Sequence, residues 1–315
     1  MSIFAPDSHR ADVSSDRPPI PLPAWRAELA DYPATSHFAS VGGFQMHYVD
    51  EGNVEGSGAP VLMVHGNPTW SFYYRHLVNQ LSPTHRAIAV DHIGCGLSEK
   101  PRDLPYTLDL RIQHLREFVD QLDLRDITLL VHDWGGAIGL GAALEDLSRY
   151  RRFVIFNTGA FPPPYFPWRI RICRAPVLGK FGVQGLNLFA RAAIRMATGQ
   201  RGGLPDDVAH GLLAPYDSWN NRRAIHEFVT DIPVRPAQPT WQRLEQIESG
   251  LTQLQDFPVK LLWGMRDWCF RPECLRKFQA LLPNAETREF EQAGHYVVED
   301  ARDDVIAEVQ DFLSR

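Results

Sequence analysis

Ile127-Thr-Leu-Leu-Val-His-Asp-Trp-Gly-Gly136 is the stretch that decides the fold. It opens on a continuous apolar run, Ile127–His132, of the length expected for a strand buried on both faces. The run stops at Asp133-Trp134, and Gly135-Gly136 lead into apolar residues at helical spacing over Ala137–Leu147. A strand that breaks on a polar residue and enters a helix through two glycines makes a strained turn. The small residues let the following helix pack close. The apex residue, Asp133, then stands beyond the C-terminal end of its strand, where open α/β sheets collect their functional groups.

Outward from this turn the text alternates. Apolar runs at Pro60–His65, Ala87–Asp91, Phe153–Asn157 and Val259–Gly264 each end in a polar or glycine cluster, and helical patterns at Ser71–Leu81 and Leu108–Leu122 lie between them. That alternation predicts a mostly parallel central sheet with helices on both faces. His37–Val41 and Gln45–Glu51 read as a hairpin around Gly42-Gly43, and Val297–Leu313 reads as a closing helix. The alternation fails between 160 and 236. Phe161-Pro-Pro-Pro164 opens this stretch and prolines from Pro233 to Pro239 close it, while Gly185–Thr198 and Trp219–Thr230 are helical in pattern. The expected organisation is an N-terminal extension (1–36), an α/β core (37–159 and 237–315) and an inserted helical cap (160–236). Pro18, Pro19, Pro21 and Pro23 favour an extended path for the first part.

Composition narrows the function classes. The 315 residues include 32 Lys and Arg against 38 Asp and Glu, a net charge of −6, with 44% hydrophobic and 22% charged residues. This is the make-up of an ordinary globular protein and argues against a nucleic-acid-binding surface. Four scattered cysteines, Cys95, Cys173, Cys269 and Cys274, form no C-x-x-C pair. Neither a disulfide scaffold nor a metal site is expected. With no apolar N-terminal segment of signal type, the cytoplasm is the expected compartment.

Two further residues join Asp133. Asp267 follows the run Val259–Gly264 within Gly-Met-Arg-Asp, and His295 sits in Ala-Gly-His-Tyr after the strand-like Thr287–Glu291. Singly, an Asp after a strand is usually a helix cap and a His after one is often mere surface. Together, in the order nucleophile, acid, histidine, they match the catalytic set of the α/β-hydrolase fold, with Asp where serine usually stands. Val131 departs from that pattern, since glycine is usual there. His65-Gly66-Asn67-Pro68 follows the strand at Pro60–Val64, where this fold draws an oxyanion-hole N–H. The backbone N–H groups of Asn67 and Trp134 form the expected pair. The Asn67 amide and the donor-only Trp134 indole add two more, a set suited to a leaving or developing anion. His65 and His132 read as loop buttresses, Asp91 as a turn residue, and Cys95 and Cys173 as packed thiols. No cofactor is called for.

These motifs carry a resemblance. His-Gly-Asn-Pro-Thr-Trp-Ser (65–71), Asp-His-Ile-Gly-Cys-Gly-Leu-Ser (91–98), His-Asp-Trp-Gly-Gly (132–136) and Ala-Gly-His-Tyr (293–296) resemble the haloalkane dehalogenase branch of the α/β-hydrolases. The resemblance implies that Asp133 is an alkylating nucleophile, that Asn67 and Trp134 cradle a leaving anion, and that Asp267 orients His295. Asn157 stands where some relatives carry the catalytic acid, a task Asn cannot perform. Epoxide hydrolases share the Asp elbow but use ring-activating cap tyrosines, for which Tyr165 and Tyr216 are available. The cap segments 171–179, 185–189 and 213–219 are similar to the β-lactone decarboxylases of bacterial long-chain olefin biosynthesis. That likeness implies conversion of a cis-3,4-dialkyl β-lactone to a cis-olefin and carbon dioxide, with haloalkane dehalogenase and then epoxide hydrolase as alternatives. Attack at the ring carbon and attack at the lactone carbonyl both stay open.

The implied substrate is a lipophilic small molecule. Residues 161–205 hold seven basic side chains (Arg169, Arg171, Arg174, Lys180, Arg191, Arg195 and Arg201) and no Asp or Glu. The plain reading is a solvated cap face. The functional one is a docking surface for other olefin-pathway enzymes or for anionic lipid.

Overall fold

A computed structural model describes residues 18, 20–33, 35–52 and 58–315. Most of the N-terminal extension, Pro19 included, lies outside the described residues.

The strands are β1 (His37–Val41), β2 (Phe44–Glu51), β3 (Gly58–Val64), β4 (His85–Val90), β5 (Ile127–Asp133), β6 (Tyr150–Thr158), β7 (Val259–Gly264) and β8 (Glu286–Phe290). They form one sheet in the order β1-β2-β4-β3-β5-β6-β7-β8. β1, β2 and β4 pair antiparallel and the remaining neighbours parallel. The sheet is thus mostly parallel, as the alternation predicts. Successive residues of one strand point to opposite faces, and here both faces are dry. Leu62 and Val64 join one apolar cluster, Val61 and Met63 the other.

Helices cover each face. α1 (Arg75–Leu81) packs on one face, and α2 (Leu108–Gln121) and α3 (Trp134–Ala143) pack on the other. Between β6 and β7 the described chain is helical: α4 (Trp168–Cys173), α5 (Leu178–Lys180), α6 (Leu188–Met196), α7 (Asp206–Leu213), α8 (Arg223–Asp231) and α9 (Pro239–Gly250). α10 (Pro272–Leu281), α11 (Val297–Asp300) and α12 (Arg302–Leu313) complete the chain. Among the described residues no helix is long and apolar enough to cross a membrane.

Several boundaries differ from the sequence reading, three of them near the site or the chain end. Ser71–Leu81 is a 3-10 turn (Ser71–Tyr74) followed by α1. α3 begins at Trp134 rather than Ala137, because the strained residue feeds straight into the first helical turn. The closing helix is interrupted at Ala301, whose backbone (φ −121°, ψ 40°) is not helical.

Candidate active site

The elbow is built from strain and close contact. Asp133 takes φ 54° and ψ −130°, a left-handed backbone that a non-glycine residue adopts only where its surroundings enforce it. The Thr158 hydroxyl donates to the Asp133 carbonyl. A Cβ on Gly135 would collide with the Val64 carbonyl, so only glycine lets α3 lie this close to β3. Val131 is accommodated from the other side: its Cγ1 lies 2.6 Å from where a Cβ on Gly139 would stand. The small residue missing from the strand is supplied by the helix.

Sequence-predicted residues from four separate loops meet here. Asp133 Oδ1 accepts from the Asn67 backbone N–H at 2.6 Å, and its Oδ2 faces His295 Nε2 at 3.4 Å. His295 Nδ1 bonds Asp267 Oδ2 at 2.8 Å, and Asp267 Oδ1 accepts from Cys269 N at 2.6 Å. All three side chains are buried. Burial alone would push His295 down, but the charge of Asp267 and the bonds to Asp133 and Asp267 hold it up, at about 10. The imidazole is therefore an imidazolium at neutral pH. Asp133 shows the mirror image: burial favours its neutral form, and the His295 bond and charge more than reverse this.

The anion donors are arranged differently from expectation. The Asn67 backbone N–H is occupied by Asp133 itself and is not free for a substrate oxyanion. The Asn67 amide donates to the Ile225 carbonyl of α8 at 3.2 Å, which ties core to cap and leaves a second N–H on the same nitrogen. The Trp134 indole N–H has no hydrogen bond among the described residues; the side chain lines the cavity, its ring held against Phe228 with centroids 5.5 Å apart.

Around this set the supports are specific. His132 Nε2–H donates to the His295 carbonyl at 2.8 Å, and burial pushes its imidazole down to about 3, so it is neutral. His65 Nδ1–H donates to Gly66 O at 2.7 Å, and its Nε2 accepts from His92 N at 3.1 Å. Asn157 grips both backbone groups of Gly264, at 2.7 and 2.9 Å, and so fixes the strand end that carries Asp267. Asp91 is more than a turn residue. Fully buried, it accepts from Ser71 N, Leu97 N and the His47 ring at 2.7–2.9 Å, and so organises the loops beside His65. Cys95 is buried, whereas Cys173 is half-buried and lines the cavity.

A cavity of about 340 Å³ opens above Asp133 between core and cap. Its walls are mainly apolar: Phe161, Ile170, Leu188, Phe189 and Val229 among them. Sequence reasoning missed Phe270, stacked on the His295 ring at 5.6 Å, and Asp300, which accepts from Gly199 N and Gly294 N at 2.6 and 2.8 Å and so joins the cap to the histidine loop. No motif marks either one. Tyr165 donates to the Cys269 carbonyl, and the buried Tyr216 donates to the Thr69 carbonyl at 3.1 Å. Neither hydroxyl is free to activate a ring oxygen.

Comparison with known proteins agrees. Residues 61–309 match the alpha/beta hydrolase family. The chain is 42% identical over 288 residues to a cis-3-alkyl-4-alkyloxetan-2-one decarboxylase of Shewanella oneidensis, covering 90% of this chain and 89% of that one. It is 41% identical to the protein of the same name from Xanthomonas campestris, covering 87% and 93%. The solved haloalkane dehalogenase DatA of Agrobacterium tumefaciens superposes with a TM-score of 0.79 at 29% identity, covering 89% of this chain and 96% of that one. This chain belongs to the alpha/beta hydrolase family, in the branch that joins the haloalkane dehalogenases to the cis-3-alkyl-4-alkyloxetan-2-one decarboxylases.

Proposed function

We propose that the protein decarboxylates cis-3-alkyl-4-alkyloxetan-2-ones to cis-olefins through Asp133. The observation that carries this reading is the form of the site, an apolar cavity that ends on one carboxylate and its anion donors. The two relatives of that name, alike in core and cap, support it.

A carboxylate attacks without losing a proton. The Asn67 backbone N–H holds Oδ1 and His295 faces Oδ2, so the attacking carboxylate is fixed at both oxygens. Attack at the ring carbon bearing oxygen breaks the C–O bond of the strained ring. It forms an alkyl ester on Asp133 and frees the substrate carboxylate. In this reading Trp134 Nε1 and the second N–H of the Asn67 amide receive that carboxylate. Loss of carbon dioxide then sends the C–C bonding pair into the new double bond and expels the Asp133 carboxylate, so no water is consumed. Inversion followed by anti elimination keeps both chains cis. The rival attack at the lactone carbonyl would need a free backbone donor for its oxyanion. The Asn67 N–H is already engaged, which leaves the Trp134 backbone N–H as the donor for that route.

His295 is the water-activating base of the hydrolytic alternative. Here its imidazolium, facing Asp133 Oδ2, would stabilise the departing carboxylate. The haloalkane dehalogenase reading draws on the same free indole N–H, which suits a halide equally well. Gas chromatography separates the two. A cis-dialkyl β-lactone is expected to give cis-olefin orders of magnitude faster than a 1-iodoalkane gives iodide. Rapid iodide release with no olefin would restore the dehalogenase reading.

We also propose a cytoplasmic setting, which suits four free thiols, and docking through the cationic cap onto other enzymes of olefin formation or an anionic surface.

A further inference from the structure

The exposed apolar side chains are not scattered. Among the described residues, every large hydrophobic side chain noted as exposed lies between Trp168 and Met196, apart from Leu22, Trp219 and Val234. Val177 and Leu178 are 78% and 79% exposed, Trp168 66% and Phe181 54%. A soluble chain leaves such a patch open only for a reason, and patches of this kind mark protein or membrane contacts.

Two further facts choose the partner. The same segment holds six of the seven basic residues and no acid, on a chain of net charge −6. Arg169, Arg171, Lys180, Arg191 and Arg195 are exposed, and none forms an ion pair among the described residues. Apolar side chains interleaved with unpaired cations fit the interface of an anionic bilayer. Moreover, Ile172, Leu188 and Met196 are both exposed and part of the cavity wall. The mouth of the cavity therefore opens within the patch.

We infer that the α4–α6 face of the cap docks on anionic lipid and that the cavity takes its lipophilic substrate directly from the bilayer. The docking half stands on the patch alone, whereas the delivery half rests on the decarboxylase reading. Docking places the mouth against the acyl region, so a two-chain lactone passes from membrane to Asp133 without crossing water.

Flotation of the intact protein with phosphatidylglycerol vesicles, against phosphatidylcholine vesicles, tests docking without any turnover. Binding to the anionic vesicles only is expected. Arg171→Gln/Lys180→Gln/Arg191→Gln should weaken it about 100-fold, at about fivefold for each charge near the surface. Brominated lipid should quench tryptophan fluorescence, and Trp168→Phe should remove most of that quenching. Val177→Asp/Leu178→Asp, at positions outside the cavity wall, should keep full turnover of a short soluble lactone and lose at least tenfold with a long-chain lactone presented in vesicles. Absence of flotation by the folded protein would overturn the proposal. So would a stable dimer, or a complex with an acidic enzyme, that covers Trp168 in place of lipid. A protein that floats but leaves the short lactone intact would instead refute the decarboxylase reading.

Discussion

Replacing Asp267 by Asn tests the electrostatics of the site most informatively. His295 is held at about 10 against an ordinary 6.5. At pH 7 the distance to about 10 corresponds to about 4 kcal/mol in favour of the imidazolium. Burial opposes that charge. Asp267 at 2.8 Å and Asp133 at 3.4 Å oppose burial. The sign follows from linkage. A histidine raised on folding stabilises the protein fully below pH 6.5, and the stabilisation is lost as pH rises toward 10. Asp267→Asn removes the nearer carboxylate, and if that carboxylate supplies half of the effect the loss is about 2 kcal/mol at pH 6.5–7. In a domain of this size that is a few degrees in Tm. Thermal unfolding of both proteins from pH 6 to 10 is the assay, with the His295 ring proton followed by NMR. The Tm gap should be widest near pH 6.5 and should shrink toward pH 10. A gap that stays constant across that range, or a His295 signal of neutral imidazole at pH 7 in the parent protein, would refute the reasoning.

Other perturbations have separate expectations. Gly66→Ala places a Cβ against the Asp133 carboxylate, so turnover should fall at least a hundredfold while the circular dichroism spectrum is unchanged. Trp134→Phe keeps the ring against Phe228 and deletes the indole N–H. Loss of one preorganised donor costs about a hundredfold in kcat, and KM should move much less. Tyr165→Phe should retain turnover within about threefold, because that hydroxyl is engaged by a backbone carbonyl; a complete loss would revive an epoxide-opening role.

Much of the fold is legible in the sequence because a sheet buried on both faces writes itself as apolar runs, and β3 to β7 all sit on such runs. β8 is harder to see: four of its five residues are exposed, so only its last, Phe290, carries a core signal. The site residues are legible for a different reason. Asp133 closes its strand while Asp267 and His295 follow theirs, and strand ends are readable. What is not legible is how donors are shared. The Asn67 backbone N–H meets Asp133 from the elbow, and its amide meets Ile225 of α8, more than 150 residues later in the chain; nothing local encodes either bond. Val131 looks like a defect of the elbow until Gly139, eight residues on, is seen to make its space. Asp91 reads only as a turn because two of its three donors, Ser71 N and the His47 ring, arrive from distant segments of chain.

The central claim is that Asp133 forms an ester which elimination, not water, breaks. Repeated turnover of a cis-dialkyl β-lactone in ¹⁸O-labelled water, followed by mass spectrometry of the peptide bearing Asp133, tests it directly. Elimination returns the original carboxylate oxygens, so cis-olefin should accumulate while that peptide keeps its unlabelled mass. Label entering Asp133 together with a β-hydroxy acid product would mean that water cleaves the ester, and would contradict the account.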